Sequence, residues 1–248
     1  MLLHINYHHQ IKEIIIYINI MEKGKIEIII PETLNDITLR QYRAFIKIEE
    51  PTEMDILRIF YGLNIKHINS LKVTDVDNLC KIVLELLASK PKSNQMVFTM
   101  GGVEYGFIPN LEEITYGENK DITTYLGKWD YMDRYMAVVF RPVIKKKGGL
   151  YDIEPYEGSN KYVKVMEDAP LGVVLSSMVF FWTLISSLLD VIPTCSNHQM
   201  EMKKMIDSSS TQEQSSQESG EVIQSYLNLL KEISEGLMTS LNYHYNNV

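Results

Sequence analysis

Four carboxylates crowd one short stretch of the chain: Glu112, Glu113, Glu118 and Asp121. Paired carboxylates can divide acid and base duties when their surroundings push their pKa values apart, so a hydrolase built on these four is one reading. A turn followed by a helix start accounts for the same residues, and that is the expectation. His4, His8 and His9 are types that ligate metal, but no carboxylate or cysteine cluster accompanies them, so no metal site is expected. Asp75-Val76-Asp77-Asn78 opens like a calcium loop yet lacks the glycine and the closing glutamate, which leaves helix capping. Cys80 and Cys195 stand far apart without paired spacing, so a disulfide framework is not expected and a reducing cytoplasm fits. No glycine-rich phosphate loop, nucleophile elbow, dinucleotide fingerprint or zinc spacing occurs. The chain is therefore expected to be no enzyme, with no catalytic, cofactor-binding or metal residue.

The elements that would hold any site are mostly helices. Lys25–Ile30 is an Ile-rich run closed by Pro31 and suits a strand. Thr38 with Gln41, and Thr52 with Asp55, carry the spacing by which a hydroxyl accepts a free first-turn N–H, so each opens a helix. Gly62 supplies the permissive residue that ends the second helix, and a third runs from near Thr74 towards Pro91. Gly101-Gly102 between two apolar runs predicts a β-hairpin, because both residues of a primed turn need positive φ. Trp129–Phe140 has helical spacing, with Tyr131, Met132, Tyr135, Met136, Val139 and Phe140 on one side and Asp130, Asp133 and Arg134 on the other. Arg141 would complement that helix's C-terminus and Pro142 would end it. Tyr151–Tyr156 and Tyr162–Val165 are expected as a second hairpin.

Between Pro170 and Leu189 no residue is charged, a length that could cross a bilayer. Ser176, Ser177, Thr183, Ser186 and Ser187 lower its hydrophobicity and Asp168 and Asp190 bracket it, so a buried core helix is expected and membrane insertion is the alternative. Residues 207–220 are almost wholly Ser, Gln, Glu, Thr, Asp and Gly, a composition that buries too little apolar surface to order a backbone. Beyond them Val222, Ile223, Tyr226, Leu227, Leu230, Ile233, Leu237, Met238 and Leu241 form the stripe of an amphipathic helix, which would dock on its own domain or on a partner.

The expected organisation is a leader at 1–20, one α+β domain at 21–192, a linker at 193–220 and the amphipathic helix at 221–248. Residues 1–20 are rich in Ile, His, Asn, Tyr and Lys, and Met21 opens a more ordinary polar start, so translation is expected to begin there. A signal peptide is the competing reading, without a basic n-region or a small-residue cleavage site. The fold class expected is α+β, mainly helical, with a small helical layer and one or two β-hairpins. A net charge of -8 argues against a general nucleic-acid binder, and Lys145-Lys146-Lys147 before Gly148-Gly149 reads as a solvated turn.

One resemblance extends this reading. Thr38–Tyr42, the Ile56–Leu63 segment and the Phe98…Gly102…Tyr105 hairpin come first. Leu111…Ile114-Thr115-Tyr116-Gly117-Glu118…Asp121 and Met136-Ala137-Val138-Val139…Arg141-Pro142 follow. This succession resembles small proteins of tailed bacteriophages encoded among virion genes, including those of crAss-like phages, and is similar to tail-assembly chaperones. The resemblance implies a non-enzymatic assembly factor in the host cytoplasm that binds another virion protein of tail or tape-measure type. A structural adaptor retained in the virion is the alternative, and a homo-oligomer is a further option. The expected partner-binding residues are Val174, Met178, Phe181, Trp182, Ile223, Tyr226, Leu227, Leu230 and Leu237.

Overall fold

Threonine side chains start four helical segments in the computed structural model, which describes residues 14–20, 24–91, 95–206, 231 and 233–240. At Thr33, Thr38, Thr52 and Thr115 the hydroxyl meets a first-turn N–H while the residue three positions on reaches back to the threonine's own N–H. Each such reciprocal cap satisfies two backbone donors that the helix leaves orphaned and is worth about 1 kcal/mol. Thr38 and Thr52 open α1 (Leu39–Ile46) and α2 (Glu53–Tyr61), as their spacing predicts, and Gly62 closes α2 at φ 64°. A single turn, α3 (Ile65–Ile68), leads to α4 (Val73–Leu87). The N-cap of α4 is Lys72, which makes no side-chain cap, so Asp75 contributes as a first-turn charge.

Two strands precede these helices. β1 (Ile14–Ile20) pairs antiparallel with β2 (Gly24–Ile30) along its whole length, from Ile14 opposite Ile30 to Ile20 opposite Gly24. Ile14–Ile20, inside the stretch expected as a leader, is therefore a paired strand, because an Ile-rich strand needs a hydrogen-bonding neighbour; residues 1–13 lie outside the described residues. Ile28 and Ile30 are buried while Ile29 is 55% exposed, the alternation of a strand with one covered face.

The second sheet is antiparallel in the order β3-β4-β5-β6. β3 (Val97–Met100) and β4 (Val103–Phe107) form the hairpin predicted at Gly101-Gly102, whose φ angles are 58° and 76°. After α5 (Tyr116–Tyr125), α6 (Met132–Val139) passes directly into β5 (Phe140–Lys147). Pro142 therefore does not stop a helix: it lies in a strand opposite Tyr105, and its carbonyl accepts the Glu154 N–H at 2.9 Å. The lysine run is strand as well. Gly148-Gly149, both at positive φ, turn β5 back into β6 (Leu150–Ile153), so the second hairpin sits earlier than expected. Tyr162–Val165 instead leads into a helical turn, α7 (Val163–Met166).

Every apolar residue of α6 is buried; of the polar side expected for this helix, Asp130 is exposed and Arg134 half-exposed, but Asp133 is only 8% exposed. Asp133 tolerates that position because Arg43 Nη1 lies 3.0 Å from its carboxylate. α6 is thus the core's central helix. Against it runs α8 (Leu171–Ile206), whose start is tied to α1: the Leu39 N–H donates to the Ala169 carbonyl at 2.9 Å and the Leu171 N–H to the Ile37 carbonyl at 2.8 Å. α8 continues through Pro193, so the linker expected from 193 begins no earlier than 207, and 207–220 lie outside the described residues.

Candidate functional site

Of the four carboxylates, only Glu118 enters the interior. Thr115 caps α5, and the Glu118 oxygen that reaches back accepts from the Thr115 N–H and hydroxyl, each at 2.7 Å. Its other oxygen takes Arg141 Nη1 at 2.6 Å from the neighbouring strand β5, with both side chains nearly sealed from solvent. Burial pushes the Glu118 pKa up, but the two Thr115 bonds and the Arg141 guanidinium outweigh it and hold the carboxyl below its ordinary value. The Arg141 guanidinium carbon lies 5.5 Å from the Tyr156 ring centroid, and the Tyr156 hydroxyl donates to Asp121. Burial first, and Asp121 second, raise the Tyr156 phenol.

With both oxygens of Glu118 engaged by donors, this group is held ionised rather than poised to exchange a proton. Glu112 and Glu113 lie apart from it, exposed in a 3-10 turn at Leu111–Glu113 that Asn110 caps by accepting the Glu112 N–H at 3.0 Å. The structure therefore joins Glu118 to Arg141 and Asp121 to Tyr156, not the carboxylates to one another. It is a clasp between α5, β5 and the segment after β6. Removing one member of a buried ion pair strands the other's charge, at a cost of about 3–5 kcal/mol.

Among the described residues no group of three or more His, Cys, Asp and Glu could hold a metal ion, and His4, His8 and His9 lie outside them. Cys80 is buried in α4, which pushes its thiol up to about 11. Cys195 falls in the distal half of α8.

The residues expected to bind a partner are placed mainly inside. Val174 and Met178 have no exposed surface and Phe181 is buried, its ring 6.1 Å from Tyr135 and 5.9 Å from Phe107. They are core because the start of α8 lies on Leu34, Asn35 and α1, with Ser177 3.8 Å from Met136 of α6, and the next turn sets Phe181 on the sheet. The serines of this stretch are satisfied there: Ser176 accepts the Gln95 N–H at 3.1 Å and Ser177 donates to the Val174 carbonyl at 2.7 Å. Trp182 is half-buried. From Val179 onwards the helix emerges, with Leu184 36% exposed and Phe180, Leu188 and Leu189 half-buried. No charged residue interrupts that flank before Asp190.

Leu237 is fully buried on the chain's own domain, whereas Ile223, Tyr226, Leu227 and Leu230 lie outside the described residues. The seat of Leu237 is the loop after α5. Gly127 stands there at φ 77°, and a Cβ on it would come within 3.2 Å of the Gly236 and Leu237 backbone. Ser240 donates its hydroxyl to the Gly127 carbonyl. Sequence reading missed this seat, although a glycine just beyond the end of a helix is a signal that could have found it. It also missed the Glu118–Arg141 pair, for which no local signal exists across 23 positions.

Comparison with protein-family models, curated protein sequences and solved structures gave no match.

Proposed function

We propose that this chain is a non-enzymatic assembly factor of a tailed bacteriophage, similar to tail-assembly chaperones, that binds another virion protein of tail or tape-measure type in the host cytoplasm. The element order resembling small virion-gene products supports the phage setting. The observation that carries the binding role is the flank of α8 from Val179 to Leu189, which bears no charge, exposes Thr183, Leu184 and Ser187, and leaves Val179, Phe180, Trp182, Leu188 and Leu189 half-buried beside them. Such a surface favours association with a partner's apolar face, while the net charge of -8 keeps the free protein apart from its copies. The docking residues accordingly shift from Val174, Met178 and Phe181 to Phe180, Trp182, Leu184, Leu188 and Leu189.

A photo-crosslinking residue placed at Leu184 in infected cells tests this reading. It should capture a virion protein, and capture of none would overturn it. Mass spectrometry of purified particles then separates a transient chaperone, absent from them, from an adaptor present in many copies.

One observation favours a second reading: Leu171–Leu189 is long and apolar enough to cross a membrane. Against it, residues 171–178 are all buried in the domain and would have to leave it. Carbonate washing should release the protein into the soluble fraction, and retention by the membrane pellet would favour insertion.

A further inference from the structure

A two-stranded sheet is marginal by itself, and the two strands of the β1–β2 hairpin differ in what guards their edges. β2 carries Lys25 and Glu27, charges of the kind that keep an edge from taking a further strand, and its Ile28 and Ile30 are buried in the core. β1 carries no such guard. Its seven residues are five isoleucines, a tyrosine and an asparagine, without a charge, a proline or a glycine. Among the described residues β2 is its one neighbour, so the other edge of β1 is a row of backbone N–H and C=O groups open to a further strand.

We infer that β1 is a dimerisation strand: its free edge pairs antiparallel with the β1 edge of a second copy, giving a four-stranded sheet in the order β2-β1-β1-β2. The occupant is a second copy because β1 is complementary to itself. A two-fold axis at Tyr17 aligns the whole strand, with Ile14 opposite Ile20 of the second copy, Ile15 opposite Asn19, Ile16 opposite Ile18 and Tyr17 opposite Tyr17. No charge meets a like charge in that register, and any shift of it loses pairs. Within each hairpin Ile14, Ile16 and Ile18 stand level with Ile30, Ile28 and Ile26, so the row that holds the buried Ile28 and Ile30 runs on across both copies. Pairing β1 with β1 uses both free edges, and the assembly closes as a dimer rather than growing. The net charge of -8 opposes contact between copies elsewhere, which leaves an uncharged edge as the place where they meet. This inference stands apart from the phage reading.

Sedimentation equilibrium of the full-length chain tests it. Wild type should dimerise, and more strongly as added salt screens the repulsion between copies. Tyr17→Lys should weaken the dimer about tenfold, because the tyrosine pair is lost and two lysines face each other across the axis. Within its own hairpin that lysine faces Glu27, so the melting temperature should hold or rise. Tyr17→Glu should dimerise as poorly by itself, and an equal mixture of the two variants should recover the dimer, since opposite charges then meet at the axis. A wild type that stays monomeric up to about 1 mM overturns the inference. So does a dimer that Tyr17→Lys leaves unchanged, or a mixture no tighter than either variant. If Tyr17→Lys lowers the melting temperature, Asn19→Glu takes its place, facing Lys25 in its own hairpin and Ile15 of the second copy. That variant should weaken the dimer about threefold, and no weakening is the contrary result.

Discussion

Two apolar helical segments of this chain, the opening turns of α8 and residues 233–240, have similar side chains and opposite standing. The first is enclosed: residues 171–178 are buried without exception, and both serines among them have backbone partners. In the second, among the described residues, Leu237 is buried, Ile233 is half-buried against the core and Ser240 bonds the Gly127 carbonyl, while Glu235, Gly236, Met238 and Thr239 are exposed. An uncharged stretch therefore does not by itself mark a partner surface. What decides is how many neighbours each side chain finds in its own domain, and by that measure α8 changes character at Val179 and the C-terminal segment is the more separable element.

The comparison can be broken at several places. Met178→Asp should have the largest effect, because an unpaired carboxylate at a position with no exposure costs more than about 4 kcal/mol. Urea denaturation should find the variant unfolded or nearly so. Arg141→Met should follow at about 3–5 kcal/mol, with much of the loss recovered in the Glu118→Leu/Arg141→Met double variant, since an apolar pair strands no charge. A double-mutant cycle by the same denaturation reads this out.

The acid limb of stability sharpens the point. Glu118 has a lowered folded pKa, so its contribution is complete above the ordinary glutamate value of 4.5 and fades as pH falls through the lower folded value. Melting temperatures below pH 4.5 should fall more steeply for wild type than for Glu118→Gln. Deleting residues 1–20 leaves β2 without its paired strand and should cost about 2 kcal/mol in lost cross-strand pairs, together with aggregation through the freed edge. Static light scattering alongside a melt measures both. Leu184→Glu should be the mildest, within about 0.5 kcal/mol of wild type in stability because the side chain is exposed, while weakening capture of a partner.

Local signals carried much of the architecture. The threonine caps at 38 and 52, Gly62 and the Gly101-Gly102 turn are short-range chemistry, and each lies where its spacing put it. The failures came from pairings that no window contains. Phe140–Pro142 reads as the end of a helix until β4 lies beside it, and the lysine run reads as a turn until β6 pairs with it. Ile14–Ile20 shows no strand signal of its own until Gly24–Ile30 pairs with it. The candidate site is legible in outline: the α8 stretch reads as apolar and core-bound, but which of its residues are covered depends on α1, α6 and the sheet. Glu118 reads as part of a helix start, and only the neighbouring strand shows that its carboxylate meets Arg141.

Hydrogen–deuterium exchange on the full-length chain, resolved to peptides from α8 and from the C-terminal segment, measures the difference between these helices directly. Amides at 174–182 should exchange only through global unfolding, and those at 233–240 should exchange at least about a hundredfold faster through local release from Gly127. Equal protection of the two segments would contradict this account, because the C-terminal segment would then be as much a part of the core as α8.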